Sequence, residues 1–142
     1  MLAELQNKIE NEVFKIENIN LSNLGIYFLS QPPYFPEGIN VVENKNGNYN
    51  LIFTERGKVT SEVIGLTADE VDYRLLKVVV QTISSEKIEG TNEFEIKELI
   101  NNHAFDKIDQ LVKKMKEKRY QYEKELLGKI NPKYSIWYEN EH

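Results

Sequence analysis

The stretch from Tyr49 to Leu76 constrains the fold more than any other. Tyr49, Leu51 and Phe53 alternate with Asn50, Ile52 and Thr54, the two-residue period of a strand whose faces differ. Glu55-Arg56-Gly57-Lys58 then offers a turn, and beyond it Val59, Ser61 and Val63 alternate with Thr60, Glu62 and Ile64. Thr67-Ala68-Asp69-Glu70 has the form of a capping box, in which the threonine hydroxyl accepts from the Glu70 amide while the Glu70 carboxylate reaches back to the Thr67 amide. Leu66 is placed to staple onto Val71. From there Val71, Leu75, Val78, Val79 and Ile83 share one helical stripe, widened by Leu76 and Val80. The cap and this spacing outweigh the β-prone Val78-Val79-Val80 run, so a buried helix is predicted directly after a strand pair.

The flanks fill in around this middle. Leu2, Leu5, Ile9, Val13 and Ile16 recur at helical spacing among charged residues, predicting an amphipathic helix over 2–17. Gly25 to Ser30 is too short for a helix and reads as a strand. The Gln31-Pro32-Pro33-Tyr34-Phe35-Pro36 segment after it loses backbone donors at its prolines and reads as a semi-rigid exposed loop. Ile39 to Glu43 is another β-rich run, and Asn44 to Asn48 carries an Asn-Gly pair suited to positive φ in a hairpin turn. Downstream, Glu89 to Asn92 breaks the helical pattern, Asn92 and Glu95 suggest a second cap, and a long helix starts near Phe105. Gly128 is placed for a left-handed C-cap and Pro132 stops the helix; Asn101-Asn102-His103 either kinks one helix or separates two. The expected fold class is α+β: an N-terminal helix, about four strands in an antiparallel sheet, then two or three C-terminal helices packed on one face. With no repeat or linker, residues 1–142 are expected to form a single domain.

Composition narrows what such a domain does. A chain of 142 residues with 40% apolar content buries roughly 68–70% of its unfolded surface without a staple. It has no cysteine, hence no disulfide and no thiolate metal site. Glu4, Glu10 and Glu12 interrupt the N-terminus, so no export signal is read there and a cytoplasmic protein is expected. The net charge of −5 argues against a general nucleic-acid binder and favours a basic partner.

Catalytic chemistry is sought and not found. His103 and His142 have no partner at metal-ligand spacing, no glycine-rich phosphate loop or Gly-x-Ser-x-Gly elbow occurs, and among 23 acidic residues a pair such as Glu43 with Glu55 arises by chance. No metal, cofactor or small-molecule substrate is expected. Lys113, Lys114, Lys116, Lys118 and Arg119 are the one basic cluster, readable as phosphate contacts in a nucleic-acid-binding or regulatory module. Glu117, Glu123 and Glu125 offer those cations i,i+4 partners, however, which favours a solvated helix face, with Tyr120 and Tyr122 as packing residues. Tyr134 and Trp137, after Pro132, read as pins for the C-terminal segment.

Candidate binding residues fall in two places. Tyr34 and Phe35 sit in the proline loop, where a stiff backbone presents aromatic anchors at low entropic cost, unless the rings fold back over the sheet edge. Glu55 and Arg56 sit at a hairpin tip, free to face a partner, unless Arg56 pairs with a helix carboxylate.

Tyr49 with Glu55-Arg56-Gly57, then Thr67, Asp69 and Leu75-Leu76, form one set of familiar residues; Lys118-Arg119, Tyr122, Leu126-Leu127 and Asn131-Pro132 form another. On these the chain resembles the immunity protein 63 family, small proteins encoded beside bacterial polymorphic toxins. The resemblance implies a non-enzymatic antitoxin that binds a cognate toxin domain, often a nuclease, and blocks it, with Tyr34, Phe35, Glu55 and Arg56 as anchors. Self-association through the long C-terminal helix stays open.

Overall fold

A computed structural model describes the backbone of residues 1–142 and every side chain except that of residue 91. The chain divides into two compact units, Met1–Leu76 and Lys77–His142, with the boundary inside a helix.

The first unit opens with α1 (Leu2–Ile16), whose stripe buries Leu5, Ile9 and Val13 as the spacing predicts. A short 3-10 turn, Leu21–Leu24, ends at Gly25 in the left-handed region and leads to β1 (Ile26–Phe28). Strands β2 (Gly38–Glu43), β3 (Tyr49–Glu55) and β4 (Lys58–Leu66) complete a sheet of order β1-β2-β3-β4. The β2–β3 and β3–β4 pairs are antiparallel, but β1 runs parallel to β2, so the sheet is mixed where an antiparallel one was expected. The cause is the proline loop. It carries the chain from the end of β1 back to the start of β2, where the Ile39 amide donates to the Gly25 carbonyl (2.7 Å). The two strands start side by side there, and a Cβ at Gly38 would collide with the Gly25 backbone.

Both hairpin turns form, by different chemistry. Arg56 and Gly57 take φ of 52° and 80°, the left-handed pair of a tight two-residue connection. At 44–48 only Gly47 takes positive φ (81°), and the turn is longer than the Asn-Gly signal implied: the Asn44 side chain accepts from the Asn46 and Asn48 amides (2.9 and 3.2 Å). Strand β4 is an edge strand with Val59 and Ile64 exposed. Its register against β3 shifts twice, and the Gly65 amide is taken up by the Asn50 side chain (3.0 Å). Those irregularities, with Lys58 and Glu62 along the strand, blunt an edge that would otherwise invite pairing.

The capping box is realised: Glu70 N–H donates to Thr67 Oγ1 and Thr67 N–H to Glu70 Oε1, both at 3.2 Å, and α2 (Ala68–Ser84) starts there. Val71, Leu75 and Leu76 are fully buried.

The second unit departs from expectation in three places. No break occurs at Glu89 to Asn92: a π-helical turn (Ser85–Glu89) runs straight into α3 (Gly90–Asn101), and Asn92 Nδ2 donates to the Ile88 carbonyl (2.7 Å) rather than capping. Continuous intrahelical hydrogen bonding outweighs one glycine and a polar tetrad. The chain does turn at Asn102-His103, with His103 at φ 54°, so α3 and α4 (Phe105–Ile130) are separate helices. Gly128 is not a left-handed cap. It lies inside α4 with the Ser135 Cβ only 3.2 Å from where its own Cβ would be, so it serves close helix approach. Pro132 begins a further helix, α5 (Pro132–Glu141), at the first position, where its missing N–H costs nothing; Asn131 caps it by accepting from the Lys133 amide (3.1 Å). Tyr134 and Tyr138 are buried. As expected, Tyr120 is a packing residue, stacked on Tyr138 (5.5 Å, 20°).

Candidate functional site

The proline loop and the β3–β4 hairpin tip are neighbours. The Gly57 amide donates to the Pro36 carbonyl (3.0 Å), joining them directly. Behind this link lies a buried polar knot. Asn40, fully buried on β2, accepts from the Phe35 amide (2.9 Å) and donates to the Ile52 carbonyl (3.3 Å). Thr54 Oγ1 donates to the Phe35 carbonyl (2.7 Å). An isolated buried amide would cost free energy, and here its capacity is spent on loop backbone that no strand satisfies. The loop is therefore held through its main chain.

The structure thus brings Tyr34, Phe35, Glu55 and Arg56 onto linked segments. Tyr34 is half-buried, and Glu55 and Arg56 are exposed. Arg56 forms no ion pair among the described residues. Phe35 does both things considered for it: its ring stacks on Tyr27 (3.8 Å, 7°) yet stays 43% exposed. It also walls a groove of about 500 Å³ lined by α1, the 18–22 segment and β1. Phe14, 68% exposed, lines the same groove, whose rim is polar, with Gln6, Glu10, Asn11 and Asn20.

Phe14 and Tyr27 were missed by sequence reasoning. Phe14 had a signal: it falls outside the stripe Leu5, Ile9, Val13, and a phenylalanine on the polar side of an amphipathic helix calls for a reason. Asn40 had none, because a lone asparagine in a β-rich run does not show what it bonds.

Charge is divided unequally. Residues 1–76 hold eleven Asp and Glu against six Lys and Arg, while residues 77–142 hold twelve against twelve, so the whole net charge of −5 lies in the unit that carries the groove and hairpin tip.

Two buried acidic clusters lie elsewhere. On α1 and α2, Glu12 meets Asp72, which is 1% exposed, with Lys8 bridging Asp69 (3.4 Å) and Asp72 (3.6 Å). Burial, then the hydrogen bond and charge of Asp72, push the Glu12 carboxyl up to about 8, so Glu12 keeps its proton near neutrality. Burial pulls the Lys8 ammonium down, but Asp72, Glu12 and Asp69 outweigh it and hold it above its ordinary value. In the second unit Glu123, buried, accepts from Ser84 Oγ (3.0 Å) and Tyr138 OH (2.9 Å), with Arg119 at 3.9 Å and itself paired to Glu89 (2.7 Å). Burial, reinforced by the Glu123 contact, raises the Tyr138 hydroxyl well above its usual range. Each cluster ties helices together through one buried carboxylate, Asp72 or Glu123, with partly exposed partners around it. Among the described residues, no group of His, Asp and Glu is arranged to hold a metal ion, and no helix is long and apolar enough to cross a membrane.

The fold is α+β, a helix followed by a four-stranded mixed sheet and then several helices. Compared with protein-family models, curated proteins and solved structures, the chain matches none of them.

Proposed function

We propose that this chain is an immunity-type protein that neutralises a cognate bacterial toxin domain by binding it, as the resemblance to the immunity protein 63 family implies. The observation that carries the reading is the Gly57-to-Pro36 hydrogen bond, which joins the aromatic loop and the Glu55-Arg56 tip on the acidic unit. Phe35 and Phe14 supply apolar anchors on a backbone already ordered, so little entropy is lost on docking. The surrounding negative charge suits a basic target, such as a nuclease cleft, and speeds encounter. The basic helix around Lys113 to Arg119 lies in a unit of zero net charge, with Arg119 engaged by Glu89, which gives nucleic acid little purchase.

The test is co-expression of this chain with the C-terminal domain of the neighbouring gene's product, reading bacterial survival and co-purification. Rescue with a stable complex is the expected result. A toxic product that is neither rescued nor bound would refute the pairing. Within a complex, Phe35→Ala or Arg56→Ala weakens binding by about 2 kcal/mol or more where the residue is a hot spot. Unchanged affinity for Tyr34, Phe35, Glu55 and Arg56 alanine variants alike would remove this surface from the interface.

A further inference from the structure

The helical arm formed by α3 and the first half of α4 is underfilled. Among the described side chains from 85 to 122, Met115 alone is buried. Ile100 (50% exposed), Phe105 (60%) and Val112 (37%) are left in water although each belongs to an apolar helical pattern. Two antiparallel helices have too little mutual surface to cover such stripes, whereas four do. Ile96, Ile100, Val112 and Met115 open along one side of the hairpin as a groove of about 640 Å³, with Glu93 on the α3 rim and Lys116 on the α4 rim.

Charge identifies what fits that face. Helix α3 is acidic, with Glu93, Glu95 and Glu98 against Lys97; α4 from Phe105 to Arg119 is basic, with lysines at 107, 113, 114, 116 and 118 among its charges. An acidic helix beside a basic one is self-complementary under a two-fold rotation. If the axis lies in the interface parallel to the helices, α3 of one copy covers α4 of the other and heights along the hairpin are preserved. Glu93 then meets Lys116 of the second copy, twice. The other face-to-face two-fold would set acid on acid and base on base, which is repulsive.

We infer that the α3/α4 hairpin is a homodimerisation surface, pairing with a second copy of this chain as a four-helix bundle in which α3 packs on α4 of the partner. The face is about 18 Å long, twelve residues of α3, and about 20 Å wide, two helix diameters. That is modest against the roughly 800 Å² per partner of a standard interface, so the association is a weak one. It is independent of toxin binding, which involves the first unit.

Sedimentation equilibrium of the full chain across the micromolar range tests this. A concentration-dependent monomer–dimer equilibrium is expected, and Val112→Glu, with circular dichroism showing that it still folds, weakens it by at least about tenfold because a carboxylate is set in the apolar seam. Glu93→Lys and Lys116→Glu each weaken self-association, while an equimolar mixture of the two associates more tightly than either alone, since unlike charges again face each other. A chain that stays monomeric to hundreds of micromolar overturns the proposal, as does a dimer indifferent to Val112→Glu. A mixture no tighter than the single variants overturns the α3-on-α4 arrangement.

Discussion

The two halves of the chain solve the burial problem differently. Residues 1–76 form a unit with buried residues in α1, all four strands and the start of α2, and they hold the entire net charge. In residues 77–142 burial is concentrated at Val79, Val80 and Ile83 and at Leu127, Tyr134 and Tyr138, while the arm between is thinly filled. A sheet collects stripes from several elements at once, whereas a helical hairpin has only its opposite member. The surface proposed for binding in the first unit therefore rests on a sheet, whereas in the second unit apolar residues of the arm are left exposed.

The contrast can be broken most directly by equal truncations in the two units. Leu51→Ala, in a strand position 1% exposed, is expected to cost about 2–5 kcal/mol by urea unfolding. In the second unit Glu123→Ala strands the buried Ser84 and Tyr138 hydroxyls and is expected to cost about 2–3 kcal/mol. If Leu51→Ala proved milder than Glu123→Ala, the first unit would not be the better packed.

Glu12 sharpens the comparison through pH. Its carboxyl is raised in the folded state, so the native form holds a proton that the unfolded chain has released from about pH 4.5 upward; stability falls as pH rises from there through about 8. Glu12→Gln keeps a neutral donor towards Asp72, and after allowance for solvent screening should gain about 1–2 kcal/mol at pH 9 and nothing at pH 4. A thermal melt series that shows parallel pH profiles for the two proteins would refute the raised Glu12 carboxyl. The smallest effect is expected at Phe94, 72% exposed on α3: Phe94→Ser should change stability by less than about 0.5 kcal/mol, and amide exchange in α3 should outpace that in β3.

What the residue pattern disclosed was whatever has a local cause. The capping box, the helix stripes and the tight Arg56-Gly57 turn depend on neighbours in sequence, and they stand where their residues placed them. The parallel direction of β1 depends on how a loop rich in prolines returns Ile39 to Gly25, a contact fourteen residues apart that no periodicity encodes. Gly128 misled for a related reason: glycine ends helices in isolation, but here it admits Ser135, whereas Pro132 does follow the end of α4 as read and also starts α5. Within the candidate site, the exposed tip and the aromatic loop were legible individually. Their junction at Pro36 and Gly57 was not, because it is a main-chain bond, and main-chain atoms are alike at every position.

The Asn40 knot has an implication for change over generations. It grips the amide and carbonyl of Phe35, atoms that survive any substitution at that position except loss of the N–H by proline. Positions 34, 35 and 37 can then vary in side chain while the loop keeps its path. If the proposed surface binds a target, what it recognises is separate from what holds it up, and a lineage confronted with an altered target can rewrite the first without disturbing the second.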